Sequence, residues 1–178
     1  MRVIGGEFRS RRLKTLPGQE TRPTPDRLRE TLFDVLTPII ENAVFIDAYA
    51  GTGAVGIEAL SRGARRAIFV EKQRAAVEII RDNLAALGLD SRAEVFTGKA
   101  AAILERMKAD IIFLDPPYEK AAEYDAALTT LGAAPTSASV IVQHSSRVDL
   151  KEEYGSLRRY RVLKQGNNAL SFYATAMA

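Results

Sequence analysis

The segment Asp115-Pro116-Pro117-Tyr118 places a carboxylate, two prolines and an aromatic ring in four consecutive residues. The prolines fix their own φ angles, lack N–H groups and keep Asp115 out of helical geometry, so the segment presents the Asp115 carboxylate, the Pro116 carbonyl and the Tyr118 ring. A planar heterocycle that carries an amino group fits these groups, because its amine donates to two acceptors while its ring stacks on the tyrosine. All four residues are candidate catalytic residues. The alternative interpretation is a Pro-Pro turn that ends a buried strand.

A second chemical signal is the glycine pattern of residues 51–56, where Gly51, Gly53 and Gly56 satisfy G-x-G-x-x-G between a predicted strand and a predicted helix. Such glycines let the backbone approach a nucleotide-like ligand, although a tight turn alone also explains them. Glu71 stands 18 residues beyond Gly53, after the next predicted strand. An acid at that spacing suits a bidentate hydrogen bond to a ribose diol. Together the two features favour an adenosine ligand.

The residues before the glycines indicate which adenosine ligand this is. Dinucleotide sites place the first glycine almost at the strand end, whereas Asp47 and three further residues precede Gly51. A carboxylate there would repel a pyrophosphate and attract the ammonium or sulfonium end of S-adenosylmethionine. A nicotinamide-dependent oxidoreductase remains an alternative, but it leaves the proline segment unexplained.

These residues must be positioned by the elements around them, and from residue 44 short apolar strands alternate with helices. Strands that are nearly all apolar and separated by helices predict an α/β, Rossmann-like domain with a mostly parallel sheet and helices on both faces. The predicted helices cover residues 54–61, 75–87, 100–108 and 122–131. The seven predicted strands cover residues 44–48, 67–70, 93–97, 111–114, 139–142, 157–163 and 169–175. The last two strands lack a helix between them and predict an antiparallel hairpin at the sheet edge.

A short basic arm precedes this domain. Residues 2–16 predict a hairpin with too few apolar residues for a core of its own, and residues 1–23 are therefore separated from a domain spanning residues 24–178. Thr24 is placed to cap a helix and Pro25 to occupy its first position. The predicted apolar face of that helix consists of Leu28, Leu32, Val35, Leu36 and Ile39.

The positive charge of the chain is concentrated at its start. The first 30 residues hold eight basic and four acidic side chains, whereas the remaining 148 hold 17 and 18. A basic arm on a neutral body favours a polyanion such as nucleic acid, with a solvated charged hairpin as the alternative. The candidate RNA contacts are Arg9, Arg11, Arg12, Lys14, Arg22, Thr24, Arg27 and Arg29.

Composition excludes several other functions. The chain has 178 residues and no cysteine, so one domain is expected, without disulfides, thiolate metal sites or a cysteine nucleophile. No apolar run approaches the roughly 20 residues that span a bilayer, and we expect a cytoplasmic protein. The single histidine, His144, is expected to form a hydrogen bond at a strand end, and no metal site is predicted.

The motifs as a set resemble a known family. Residues 47–53 resemble motif I of class I S-adenosylmethionine-dependent methyltransferases, and residues 115–118 resemble motif IV of the branch that methylates amines. Residues 1–6, 22–33 and 56–64 are similar to the RsmD-type 16S ribosomal RNA guanine-N2 methyltransferases. The resemblance covers nearly the whole chain.

This resemblance implies that S-adenosylmethionine is the methyl donor, leaving S-adenosylhomocysteine, and that the acceptor is a guanine N2 of 16S ribosomal RNA in free RNA or in a small ribosomal subunit. We also expect a monomer without a bound metal. The implied donor-binding residues are Asp47, Tyr49, Gly51, Gly53, Glu71, Lys72, Gly98, Lys99 and Asp115. Lys99 departs from the acid or amide that many methyltransferases place near the adenine. An adenine-N6 methyltransferase and a non-catalytic RNA-binding module remain alternatives.

Overall fold

The computed structural model describes residues 1–18, 25–117 and 121–176. In this part of the chain, one sheet is formed by β1 (Val44–Asp47), β2 (Arg66–Glu71), β3 (Ala93–Thr97), β4 (Ile111–Leu114), β5 (Ser139–Ser145), β6 (Glu153–Tyr154), β7 (Leu157–Gln165) and β8 (Asn168–Thr175). The helices are α1 (Asp26–Ile40), α2 (Ala54–Ser61), α3 (Arg74–Ala86), α4 (Ala100–Leu104) and α5 (Ala121–Gly132), with a 3-10 helix at Asp90–Arg92. None of the described helices is long and apolar enough to cross a membrane.

The strand order is β3-β2-β1-β4-β5-β8-β7-β6. Strands β1 to β5 are parallel, and β6, β7 and β8 add antiparallel pairs at one edge. The predicted Rossmann-like architecture and C-terminal hairpin are confirmed, but the described sheet has eight strands rather than seven. The additional strand is β6, whose two residues are too few to show an alternating pattern.

Apolar residues cover both faces of the sheet because neighbouring side chains on a strand point in opposite directions. On β1, Ile46 packs with α4 and α5, whereas Phe45 packs with α1 and α2. A third cluster joins α2 and α3 to the arm through Val3 and Leu13. The arm therefore contributes apolar side chains to the core of the domain.

Helix α1 differs from its prediction at both ends. Pro25 is the N-cap and Asp26 the first helical residue, so Pro25 lies one position earlier than predicted, while Thr24 lies outside the described residues. Ile39 is 46% exposed, contrary to its predicted place on the apolar face. The buried face is rotated toward Phe33 and Ile40, which pack on the sheet instead.

Two other boundaries differ from the sequence prediction by three or more residues. Helix α4 ends at Leu104 instead of residue 108. Strand β5 continues to Ser145, so His144 lies inside the strand rather than after it. The extension is stabilised by antiparallel pairing of His144 and Ser145 with Ala169 and Asn168, a long-range contact that local periodicity does not report.

The buried carboxylate of Glu58 in α2 joins the arm to the domain. Its oxygens accept hydrogen bonds from the backbone N–H groups of Ile4 at 2.9 Å and Gly5 at 2.8 Å. Arg62 Nε donates to the same carboxylate at 2.8 Å. Arg29 Nε lies 3.9 Å from it, and both Arg29 and Glu58 are 0% exposed.

This burial corrects the predicted role of Arg29 as an RNA contact. Its Nη2 donates to the Arg2 carbonyl at 2.6 Å and to Asp26 at 3.2 Å, which joins α1 to the arm. Burial lowers the pKa of Arg29, and the nearby carboxylates of Glu58 and Asp26 oppose that effect. Arg29 is a structural cation in the interior and is not available to a phosphate.

We predict that Glu58→Gln lowers the free energy of unfolding by about 3 to 5 kcal/mol, because the buried Arg29 guanidinium would lose its buried counter-charge and keep only the exposed carboxylate of Asp26. Urea unfolding measures the change. Glu78→Gln is the matched control, since Glu78 forms an exposed ion pair with Arg81 and should change stability by about 1 kcal/mol or less. Equal stabilities for the two variants would contradict a structural role for Glu58.

Candidate active site

The carboxyl ends of β1, β2 and β4 border a cavity of about 670 Å³. It is lined by most of the predicted site residues, namely Tyr49, Gly51, Glu71, Lys72, Gly98, Lys99, Asp115, Pro116 and Pro117. Asp47 and Gly53 lie nearby but do not line it. Tyr118 lies outside the described residues, so its predicted stacking role stays a prediction.

The turn from β1 into α2 is fixed by a buried hydrogen bond. The N–H of Gly56, in the first turn of α2, donates to Asp47 Oδ2 at 3.0 Å. Gly53 caps the helix with a φ of +84°, which glycine adopts at little cost, and a Cβ at Gly56 would collide with the Phe69 ring. Asp47 is 1% exposed. The prediction that it contacts the ligand is therefore wrong, and its carboxylate caps α2 instead.

The environment of Asp47 also changes its acidity. Burial raises the pKa of Asp47 to about 7, the Gly56 N–H opposes the increase, and the charge of Glu71 adds to it. Desolvation therefore outweighs the hydrogen bond that stabilises the carboxylate.

Glu71 is held in place by two backbone N–H groups. At the end of β2, its Oε2 accepts from the Gly51 N–H at 2.8 Å and its Oε1 accepts from the Gln73 N–H at 2.9 Å. Each carboxylate oxygen has a second lone pair for a ligand hydroxyl. The first glycine of the loop thus orients the acid.

The cavity wall opposite the glycine loop includes the first turn of α5. Tyr49 Oη donates to Glu123 Oε2 at 3.2 Å. Burial, followed by the negative charge of Glu123, raises the pKa of Tyr49. Tyr49 therefore stays protonated and joins the loop after β1 to the helix after the proline segment.

The proline segment follows β4, between the ends of β1 and β5. Asp115 is half-buried, Pro116 is buried and Pro117 is exposed at the cavity. The carboxylate is therefore at the same cavity as Glu71, although the two residues are 44 positions apart in the chain.

The sequence analysis missed four polar cavity residues, which are Gln73, Glu123, Gln143 and Asn168. Gln73 and Glu123 begin helices that follow strands, so their place at the carboxyl edge was predictable. Asn168 reaches the cavity because β8 runs antiparallel to β5 and Asn168 pairs with Ser145 at the end of that strand. Local sequence contains no signal for that pairing.

His144 has two hydrogen-bond partners and lies outside the cavity lining. Its Nδ1 lies 2.8 Å from the Ser145 carbonyl, which can only accept, so Nδ1 carries the proton and Nε2 accepts from Ser171 Oγ at 2.8 Å. Burial lowers the pKa of His144, which favours this neutral form. The interpretation of His144 as a hydrogen-bonding residue is confirmed.

The basic arm reaches the cavity. Asn83 of α3 accepts from the Lys14 N–H at 2.7 Å and donates to the carbonyls of Lys14 and Thr52, each at 3.1 Å. Gly18 lines the cavity. The arm therefore forms part of the cavity wall.

Most of the other predicted RNA contacts that the structure describes lie on the surface. The exposed residues are Arg9, Arg11, Arg12, Lys14 and Arg27. Lys14 pairs with Asp82 at 3.2 Å, and Arg11 donates to the Ala86 carbonyl at 3.3 Å. Arg22 and Thr24 lie outside the described residues.

Charges of both signs line the cavity. Its described lining includes the carboxylates of Glu71, Asp115 and Glu123 and the ammonium groups of Lys72 and Lys99. In the described parts of the chain, no group of three or more histidine, aspartate or glutamate residues is arranged to hold a metal ion.

The parallel sheet with an antiparallel end and a cavity after β1, β2 and β4 defines a class I methyltransferase fold. The family model described as "Conserved hypothetical protein 95" matches residues 1–174. The chain belongs to this family, the RsmD-type class I methyltransferases.

Individual relatives agree with this assignment. The chain is 34% identical to "Putative rRNA methyltransferase YlbH" of Bacillus subtilis (strain 168), over 97% of this chain and 98% of that protein. It is 41% identical to "Ribosomal RNA small subunit methyltransferase D" of Escherichia coli (strain K12), over 67% of this chain and 61% of that protein. The solved structure of "Putative methyltransferase yhhF" from Escherichia coli superimposes with a TM-score of 0.86 at 33% identity, covering 98% of this chain and 97% of that one.

We predict that Asp47 contributes a loss of stability as the pH rises from about 4 to about 7 and that Asp47→Asn removes this contribution. The unfolded chain releases the Asp47 proton near pH 3.8 and the folded protein near 7, so the folded state binds more protons between these values. Between pH 5 and pH 8 the variant should gain about 2 to 3 kcal/mol relative to the wild type in urea unfolding.

Asp90→Asn, at an exposed aspartate far from the cavity, is the control and should follow the wild-type profile. Parallel pH profiles for the wild type and Asp47→Asn would show that Asp47 is ionised throughout this range.

Proposed function

We propose that the protein transfers a methyl group from S-adenosylmethionine to the exocyclic N2 amine of a guanine in 16S ribosomal RNA. The observation that carries this proposal is the meeting of Glu71 and the Asp115-Pro116-Pro117 segment at one cavity. Glu71 is suited to a ribose diol, and the proline segment is suited to an aromatic amine. Its relatives named as ribosomal RNA methyltransferases support a ribosomal RNA substrate and, through it, a location in the cytoplasm.

The cavity fits the proposed donor. Its volume of about 670 Å³ lies within the range of small-molecule sites. Glu71 would accept from the ribose hydroxyls, and Ala48, Val70, Ala76 and Ala100 supply small apolar surface for the rest of the adenosine. The carboxylates of Asp115 and Glu123 favour a cationic ligand. When bound, S-adenosylmethionine supplies an electrophilic methyl group on a positively charged sulfur.

The residues after β4 would orient and activate the amine. An exocyclic amine is a weak nucleophile because its lone pair is delocalised into the ring. The Asp115 carboxylate and the Pro116 carbonyl would accept its two N–H groups and favour the pyramidal form, in which the lone pair is localised. They would also stabilise the positive charge that develops on the nitrogen during attack. Tyr118 would stack on the base.

The exposed residues Arg9, Arg11, Arg12, Lys14 and Arg27 would bind RNA phosphates. Asn83 connects this arm to the glycine loop through Lys14 and Thr52. Residues 1–23 would therefore bind RNA while attached to the domain of residues 24–178. We propose a monomer that needs no metal.

We predict that Glu71→Ala weakens the binding of S-adenosylhomocysteine by about 1.5 to 3 kcal/mol, since the ribose hydroxyls would lose a charged acceptor. Isothermal titration calorimetry measures the affinity. Glu78→Ala, at an exposed position on α3, is the control and should bind like the wild type. An unchanged affinity in Glu71→Ala would mean that other residues hold the ribose.

We predict that the wild type transfers labelled methyl groups to undermethylated small ribosomal subunits and that Asp115→Asn reduces the rate by roughly 10² to 10³. The asparagine would lose the negative charge and direct an NH2 group toward the substrate amine. S-adenosylhomocysteine affinity should stay within severalfold of the wild type. Asp90→Asn, at an exposed aspartate at the opposite edge of the sheet, is the control and should retain full activity.

Nuclease digestion of the product identifies the methylated base. N2-methylguanosine in 16S ribosomal RNA is the expected result. N6-methyladenosine would replace the guanine proposal with the adenine alternative. Donor binding without transfer to any RNA would favour a non-catalytic RNA-binding module.

A further inference from the structure

Strand β7 carries a basic and aromatic surface that the sequence analysis did not identify. Residues 157–168 contain Arg158, Arg159, Arg161 and Lys164 and no acidic residue. Among the described residues, three large apolar side chains are exposed, and two of them, Tyr160 at 61% and Val162 at 38%, lie on this strand. Charged side chains alone would protect an edge strand from aggregation, but an exposed tyrosine would promote it. The combination therefore favours a binding surface.

A β-bulge gathers these side chains on one face. Arg159 pairs with Tyr173 and Arg161 pairs with Phe172, so Tyr160 is the extra residue between them. In a regular strand Tyr160 and Arg161 would point to opposite faces, but a bulge brings consecutive side chains together. The Tyr160 ring lies 6.2 Å from the Phe172 ring, and the Arg161 guanidinium lies 5.8 Å from the same ring.

Arg158 extends the same face. It pairs with Ala174, two residues from Phe172, so both side chains project from the same side of the sheet. The Arg158 side chain is 67% exposed, with Glu153 at 3.8 Å. We call Arg158, Tyr160 and Arg161 the β7 surface.

Strand β7 leads from this surface to the cavity. At its far end Gln165 pairs with Asn168, which lines the cavity, and Gln165 Nε2 donates to Thr31 of α1 at 3.2 Å. Seven residues separate Gln165 from Arg158, a distance of about 20 Å along a strand. An RNA strand whose target nucleotide enters the cavity could therefore extend along β7 for several nucleotides.

We propose that the β7 surface binds the RNA strand flanking the target nucleotide, with Arg158 and Arg161 contacting phosphates and Tyr160 stacking on an unpaired base. Guanidinium groups bind phosphate oxygens in bidentate geometry, and an exposed ring accepts any base face. This proposal rests on the proposed function, because it assumes an RNA substrate at the cavity.

The charge test uses the double variant Arg158→Gln/Arg161→Gln and a short single-stranded RNA from the small-subunit sequence. Each phosphate contact contributes about 0.7 to the slope of log affinity against log salt for single strands, so the slope should fall by about 1.4. The control Arg106→Gln/Lys108→Gln removes two exposed cations between α4 and β4, three strand positions from β7 in the sheet, and should keep the wild-type slope.

The stacking test compares Tyr160→Leu with Tyr160→Phe. Leucine keeps apolar cover over Phe172 but lacks a ring, so RNA affinity should fall about tenfold, whereas phenylalanine should bind like the wild type. Every β7 variant should bind S-adenosylhomocysteine with unchanged affinity and unfold at the wild-type temperature.

The outcomes separate this proposal from the proposed function. If the wild type methylates ribosomal RNA and the double variant keeps the wild-type salt slope, the β7 proposal is overturned and the proposed function stands. If the β7 variants lose affinity for small subunits but not for RNA alone, a ribosomal protein is the partner and the proposal is overturned. If RNA binding depends on β7 but no methyl group is transferred, the β7 proposal stands and the proposed function fails. If the wild type does not bind RNA, both fail.

Discussion

The site depends on one buried hydrogen bond, from the Gly56 N–H to the Asp47 carboxylate. It fixes the turn by which β1 enters α2, and that turn presents the Gly51 N–H to Glu71. Glu71 lies at the end of β2 and accepts this N–H, so the glycine loop and the Glu71 carboxylate position each other. Burial of the Asp47 carboxyl costs desolvation, and the hydrogen bond from the first turn of α2 partly offsets that cost.

The N-terminal arm is part of the fold and not a separate tail. Its backbone N–H groups donate to the side chains of Glu58, Ser61 and Asn83. Asn83 also donates to the Thr52 carbonyl, so the arm and the glycine loop share one side chain. RNA bound to the arm would thus lie against the same framework that holds the donor in the function we propose.

The distribution of charge follows the proposed chemistry. Among the described residues, three carboxylates and two lysines line the cavity, where the donor would bind, and exposed guanidinium groups lie on the arm and on β7, where a polyanion would bind. The Arg29 guanidinium takes no part in this outer surface, because Glu58 and Asp26 hold it in the interior. Counting charges along the chain does not separate these two kinds of arginine.

The sequence by itself determined the alternating α/β order, the first four strands to within one or two residues, and the cavity positions of Glu71 and Asp115. Those features are local, because apolar runs, glycine turns and prolines act on their own neighbourhood and parallel strands end at one edge. Only the tertiary structure decided that Asp47 caps a helix and that Arg29 is buried. It also placed Asn168 at the cavity and Tyr160 beside Arg161. Each of these depends on a partner distant in the chain or on a strand register, and neither is encoded in the periodicity of a single segment.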